Sequence, residues 1–191
     1  MAHILVVGGT GMLYDVCRHL CVSANVVTVI ARNKKRLNRL ASEAKELVGS
    51  INSISLDYSD SASLTSGLKK SIITHGPVEL AICWIHASKA PEAARIIAET
   101  IDKQNNQTKC KYYQLLSSAT ADPSLEKKDI SKDFDSLDNI DFRTILLGFI
   151  VERETSRWLT NNEICDGVIR AIENDAKESI IGTVEPWNRR P

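Results

Sequence analysis

The chain has 191 residues, 43% hydrophobic and 25% charged, with a formal net charge of +0. A chain of this length buries roughly 70% of the surface that its unfolded form exposes, so a core can form without disulfides or metals; one domain over residues 1–191 is the default. The balanced charge speaks against a nucleic-acid binder, which would show a basic excess, and no apolar run approaches the ~20 residues that a membrane span requires.

The first apolar run, Ile4–Val7, meets a glycine turn and then a helix from about Gly11 to Cys21. Val26–Ile30 reads as a second strand. A charged helix follows from about Lys34 to Val48, then a third strand, Ile51–Leu56. Asp60 or Ser61 caps the next helix, which His75-Gly76-Pro77 stops. Leu80–Ile85 is the fourth strand, and Pro91 fits the first turn of a helix reaching about Gln104. Tyr112–Leu116 is the fifth strand. From Ser117 to Asn139 the chain turns polar, interrupted by Leu125, Ile130, Phe134 and Leu137, and reads mostly as loop. Phe142–Leu147 is the sixth strand. Thr160-Asn161-Asn162-Glu163 forms a capping box before a helix Ile164–Glu173, and Ile180–Val184 is a last short strand. Strands alternating with helices predict a doubly wound parallel sheet, a three-layer α/β/α Rossmann fold.

The N-terminus, Met1-Ala2-His3-Ile4, has no basic segment of the kind that opens a signal peptide, so a cytoplasmic protein is expected. Five scattered cysteines, Cys17, Cys21, Cys83, Cys110 and Cys165, form no CxxC pair and read as reduced thiols. Cys17 and Cys21 share one face of a predicted helix. Buried small apolar residues suit them better than a zinc site, and no metal is expected. His3 and His19 fall in elements expected to be packed, and His75 in a turn.

Chemistry concentrates at Gly8-Gly9-Thr10-Gly11-Met12-Leu13, where the first strand turns into the first helix. A pyrophosphate approaches backbone N–H groups at such a helix start, where the dipole favours negative charge and side chains would obstruct. Thr10 can add a hydroxyl. A third glycine would ordinarily stand near Tyr14, so the tyrosine implies a wider helix approach or a ring toward the cleft, with ordinary packing its plainer role. Arg32 and Asn33 end the second strand, ahead of Lys34, Lys35 and Arg36. A carboxylate there would favour NAD through the ribose 2′-hydroxyl; Arg32 suits a 2′-phosphate instead, so NADP(H) is favoured over NAD(H). The plainer reading of these cations is a solvated helix start.

With these residues the chain resembles the short-chain dehydrogenase/reductase superfamily. The resemblance implies that Gly8–Gly11 is the phosphate loop and that Arg32 selects NADP. It implies that Asp57, beside Tyr58, contacts adenine and that Ile85-His86-Ala87 lies by the nicotinamide ribose. Ser117-Ser118 matches the end of the strand carrying the catalytic serine, and Leu147-Gly148-Phe149-Ile150 matches the segment lining the nicotinamide. The family's Tyr-x-x-x-Lys pair is missing. No tyrosine follows Ser117, and Lys127, Lys128 and Lys132 stand without that partner. Ser118 to Asp141 is also too short for the family's long helix, often its dimer surface, so a homo-oligomer stays open. After the sixth strand only Arg157-Trp158-Leu159-Thr160 and one helix remain for substrate specificity.

Catalytic candidates near the strand ends are Ser118, which can orient a carbonyl or cap the loop, and His86, which can move protons near neutrality or hold a ribose. Trp84 can stack on a ligand or close the core. No P-loop lysine and no Gly-x-Ser-x-Gly occurs, which excludes the common NTPase and α/β-hydrolase patterns. The expectation is an NADP(H)-binding oxidoreductase acting on a small carbonyl or alcohol. The alternative is a non-catalytic NADP(H)-binding redox sensor or partner-binding module.

Overall fold

A computed structural model describes residues 1–23, 25–126, 129–153 and 155–191; Lys127 and Lys128 lie outside it. Seven strands form one sheet: β1 (His3–Val7), β2 (Val26–Ala31), β3 (Ser50–Ser55), β4 (Val78–Trp84), β5 (Cys110–Ser117), β6 (Ile140–Leu147) and β9 (Glu178–Ile181). Their order is β3-β2-β1-β4-β5-β6-β9, and each pair of neighbours is parallel. This is the doubly wound α/β sheet expected from the sequence.

Every residue of β1 is buried. That is why it reads as an unbroken apolar run rather than an alternating one: both faces of a central parallel strand are covered. Ile4 and Val6 pack on one face with α1 (Tyr14–Cys21), α2 (Lys34–Glu43) and α5 (Asn161–Glu173). Leu5 and Val7 pack on the other with α3 (Ser61–His75) and α4 (Ala93–Gln104). The two clusters are the outer layers of the three-layer arrangement.

Capping sets several helix ends. Asp60 accepts from the amides of Ala62 and Ser63, both at 3.1 Å, and Gly76, at φ +88°, ends α3. The box at α5 is complete: the Glu163 amide donates to Thr160 Oγ1 at 3.3 Å, and the Thr160 amide to Glu163 Oε2 at 2.8 Å.

Four expectations need correction. Helix α1 starts at Tyr14 rather than Gly11, because residues 8–13 form turns. Helix α2 ends at Glu43 and tightens into a 3₁₀ turn, Ala44–Glu46, instead of continuing to Val48. The last strand lies at Glu178–Ile181, earlier than expected. His19 is not packed: its side chain is 47% exposed and faces Glu173 at 3.6 Å.

The stretch after β6, where no strand was expected, is an antiparallel hairpin, β7 (Phe149–Glu152) and β8 (Thr155–Trp158). Arg157 ties it to α5 by a two-pronged pair with Glu163, at 2.9 and 3.0 Å. That pair and the Thr160 bonds hold the Glu163 carboxyl down to a pKa of about 2. Between β5 and β6, among the described residues, there is no α-helix, only 3₁₀ turns at Ser118–Ala121 and Ile130–Asp133. Phe134 covers the sheet there, stacked on Phe142 at 4.1 Å.

Candidate functional site

The strand order reverses between β1 and β4. In open α/β sheets a ligand crevice forms beyond the carboxyl ends of the strands at such a switch. The glycine turn stands there. Gly8 adopts φ +83°, and a Cβ on it would come within 3.0 Å of the Trp84 carbonyl oxygen at the end of β4. Gly9 is pressed onto the core, where a Cβ would meet Cys17 Sγ at 2.7 Å and Val29 Cγ1 at 2.8 Å. Gly11 differs: a Cβ there would meet nothing within 4 Å. Two thiols hold the turn from behind. Cys17 donates to the Gly9 carbonyl at 3.5 Å and Cys165 to the Met12 carbonyl at 2.9 Å. Leu13 is buried.

Tyr14, in place of the third glycine, turns toward α2 rather than the cleft, with Arg39 5.9 Å from its ring centre. Its phenol pKa is raised, first by burial and then by the neighbouring Glu43 carboxylate.

At the end of β2, Arg32 is 60% exposed and faces Asp57 at 3.7 Å. Residues Arg32 to Arg36 are all exposed, and the first turn of α2 holds no acid to match its cations. The Asn33 side chain is taken by the helix, accepting from the Arg36 amide at 3.0 Å. Asp57 accepts from the Ser59 amide and hydroxyl; these bonds, then Arg32 and Lys89, hold its pKa low. Tyr58 is buried and braces the loop after β4, its hydroxyl accepting from the His86 amide at 3.4 Å.

A cavity of about 250 Å³ opens at the ends of β4, β5 and β6, lined by Trp84, Ser117, Ser118, Leu147, Gly148, Trp158, Leu159, Ile164 and Arg190. Trp84, Ser117, Ser118 and Gly148 were expected at a cofactor or catalytic site, and the fold brings them together. His86 is exposed and stands beside the cavity, edge-on to Trp84 at 5.3 Å. Ile85 is buried in the core. Phe149 is a core residue too: it is fully buried, and its amide and carbonyl both pair with Thr183. Gly148 is needed for that pairing, since a Cβ would lie 2.1 Å from the Thr183 carbonyl oxygen. Ile150 is in β7, opposite Arg157.

Arg190 was missed by sequence reasoning. Its Nε donates to Ser118 Oγ at 2.9 Å, and its guanidinium lies 4.9 Å from the Trp158 ring centre and 5.2 Å from that of Trp187. The only sequence hint was a cation and an aromatic close together in Trp187-Asn188-Arg189-Arg190. Among the described residues, no group of three or more His, Cys, Asp or Glu is placed to hold a metal, and no helix is long and apolar enough to cross a membrane.

No family model and no curated protein matches the chain. Solved structures do. A short-chain type dehydrogenase/reductase from Mycobacterium marinum aligns with a TM-score of 0.75 at 12% identity, over 97% of this chain and 95% of that one. An alcohol dehydrogenase from the archaeon Thermococcus sibiricus, complexed with 5-hydroxy-NADP, gives 0.74 at 14% identity, over 96% of each chain. A metagenomic short-chain oxidoreductase in complex with NADP gives 0.74 at 13%, over 95% of this chain and 97% of that one. At these identities the likeness establishes the fold.

Proposed function

Starting from a short-chain dehydrogenase/reductase-like fold, we propose that the chain binds NADP(H) along the β1–β4 crevice and acts as an oxidoreductase on a small carbonyl or alcohol. One observation carries the reading: a left-handed Gly8 backed by β4, followed by a Gly11 with open space before it, at the reversal of strand order. The residues that would hold the dinucleotide fit it. The Gly8 amide is taken by the Ile30 carbonyl at 3.0 Å, so it is the turn from Gly9 to Leu13 that offers amides before α1 to the pyrophosphate. Arg32 and the unopposed cations of α2 suit the 2′-phosphate. The Arg32–Asp57 pair is too exposed to bind Arg32 firmly, so its fork stays free for a phosphate. Asp57 lies where adenine would reach, and Trp84, Ser117 and Gly148 stand at the nicotinamide end. The printed descriptions of two similar structures, which name NADP or a derivative of it, support the same ligand.

A bound NADP(H) supplies hydride. Ser118 orients the substrate oxygen, while His86, exposed beside the cavity, has the chemistry to exchange a proton with it. Calorimetry tests the cofactor reading. NADPH is expected to bind more tightly than NADH, with most of the difference lost in Arg32→Ala; equal affinities in the parent protein would sink it.

A second reading, a non-catalytic NADP(H)-binding sensor or partner-binding module, is favoured by one observation. Ser118 Oγ is already engaged by Arg190, and no tyrosine stands in reach of it from the chain after Ser117. NADPH binding without turnover across a panel of carbonyl compounds would favour it over the first.

A further inference from the structure

The cavity at the ends of β4, β5 and β6 has apolar and aromatic walls, from Trp84, Leu147, Trp158, Leu159 and Ile164, and a single cation, Arg190. Arg190 is an exposed residue with three neighbours: its guanidinium lies 4.9 Å from the Trp158 ring centre and 5.2 Å from that of Trp187, and Ser118 Oγ accepts from Nε. Cation–π contact of this kind favours a fixed, flat guanidinium. Among the described residues Arg190 forms no ion pair. The acid that senses its charge, Asp122, is half-buried and already accepts from the Ser124 amide and hydroxyl. Among the described residues neither terminal nitrogen of Arg190 has a hydrogen-bond acceptor, and the side chain lines the cavity.

From this we infer that the cavity is a binding site for a small monocarboxylate with a short apolar or aromatic body, the carboxylate on Arg190 and the body against the tryptophans. The planar fork matches a carboxylate bidentately. One cation neutralises one charge, so a monoanion fits better than a phosphate ester. The volume, about 250 Å³, lies below the usual range of roughly 300–1,000 Å³ for small-molecule pockets, which limits the ligand to a small acid. As a substrate assignment the inference rests on the oxidoreductase reading, and makes the carbonyl or alcohol compound a small oxo or hydroxy acid. As a binding assignment it stands alone.

The chain's three tryptophans, Trp84, Trp158 and Trp187, all lie at the cavity or on its arginine. Intrinsic fluorescence of the intact protein thus reports on this site. Benzoate and its neutral counterpart benzamide are the probes, with NADPH binding followed separately by calorimetry. Benzoate is expected to give a saturable change, and benzamide binding at least ~10-fold weaker, as a charge-assisted hydrogen bond requires. Arg190→Gln should lower benzoate affinity by ~10-fold or more, a clearly larger loss than any in NADPH affinity. Arg190→Lys, which keeps the charge without the fork, should recover part of the loss. Equal binding of benzoate and benzamide, no saturable benzoate signal, or unchanged benzoate affinity in both variants overturns the inference. So does a loss of NADPH affinity as large as that of benzoate, which would give Arg190 to the dinucleotide. Benzoate binding that survives where the parent protein fails to bind NADPH upholds the inference while removing the oxidoreductase reading.

Discussion

Gly8 and Trp84 meet across the sheet's switch point, with space for a Cβ on Gly8 only 3.0 Å from the Trp84 carbonyl oxygen. Gly8→Ala would add a left-handed alanine to this clash. We expect a loss of about 1–3 kcal/mol, read as a lower melting temperature. Gly11→Ala meets nothing. It should melt with the parent protein yet bind NADPH ~10-fold or more weakly, because its methyl occupies the approach to the turn. A Gly11→Ala variant with unchanged NADPH affinity would place the pyrophosphate elsewhere.

Arg143 is 3% exposed and gathers the lower ends of β5, β6 and α5. It donates to Asp141 at 2.6 Å, to Asp175 Oδ1 and to the Asp175 carbonyl, both at 2.7 Å, and to the Tyr113 hydroxyl at 3.1 Å. Removing it leaves Asp141 with Lys177 and Asp175 with Lys111, so neither carboxylate is stranded. Tyr113 and the backbone carbonyls lose their donor. Arg143→Ala should therefore cost about 2 kcal/mol, a fall of roughly 4–8 °C in melting temperature. A shift under a degree would mean that water replaces the guanidinium freely.

His3 anchors a buried polar chain beneath the sheet. Its Nδ1 lies 2.7 Å from the Gly76 carbonyl, which can only accept, so Nδ1 carries the proton. Nε2 then accepts from Thr28 Oγ1 at 2.8 Å, and Thr28 continues to Ser71 at 2.7 Å. Burial, the largest influence, holds the imidazole pKa below 6.5. The unfolded chain thus takes up a proton at higher pH than the folded one. The stability contribution is complete above about pH 6.5 and is lost as pH falls through the lower folded value. Denaturation between about pH 7 and pH 5 should show this decline, and His3→Gln should flatten it; an identical slope in the variant would refute the assignment.

All five cysteines are free and buried. Burial raises every thiol: Cys21 is pushed up to about 11 and Cys83 to about 12, while Cys17, Cys110 and Cys165 are raised as well. The thiolate is the reactive form. Ellman's reagent near neutral pH should find almost no thiol in the native protein and all five after denaturation. Rapid labelling of even one thiol in the native state would contradict its burial.

The sequence was most legible where local chemistry decides the outcome. Ile4–Val7 shows itself as a buried central strand because both faces are covered, and Thr160–Glu163 shows its capping box because both partners lie within one turn. The hairpin Phe149–Trp158 left no such signal. Its residues are largely polar, and its position depends on Phe149 pairing with Thr183 and on Arg189 donating to the Arg153 carbonyl, contacts made far along the chain. The candidate site divides the same way. The glycine turn and Arg32 are local motifs. The Arg190–Ser118 bond joins residues 72 positions apart and could come only from the folded chain. Phe149, at a position matching the cofactor-lining segment, has a fully buried side chain here, a packing role set by its pairing with distant Thr183.

The placement of Arg190 also bears on how independently the two halves of the switch edge can loosen. The glycine turn and its Trp84 backing come from elements up to β4, whereas the cavity also draws on β6, Trp158 before α5, and the segment that carries Arg190. Local opening differs in free energy from one part of a fold to another. Release of the segment around Arg190 would therefore unwall the cavity while the glycine turn keeps its shape.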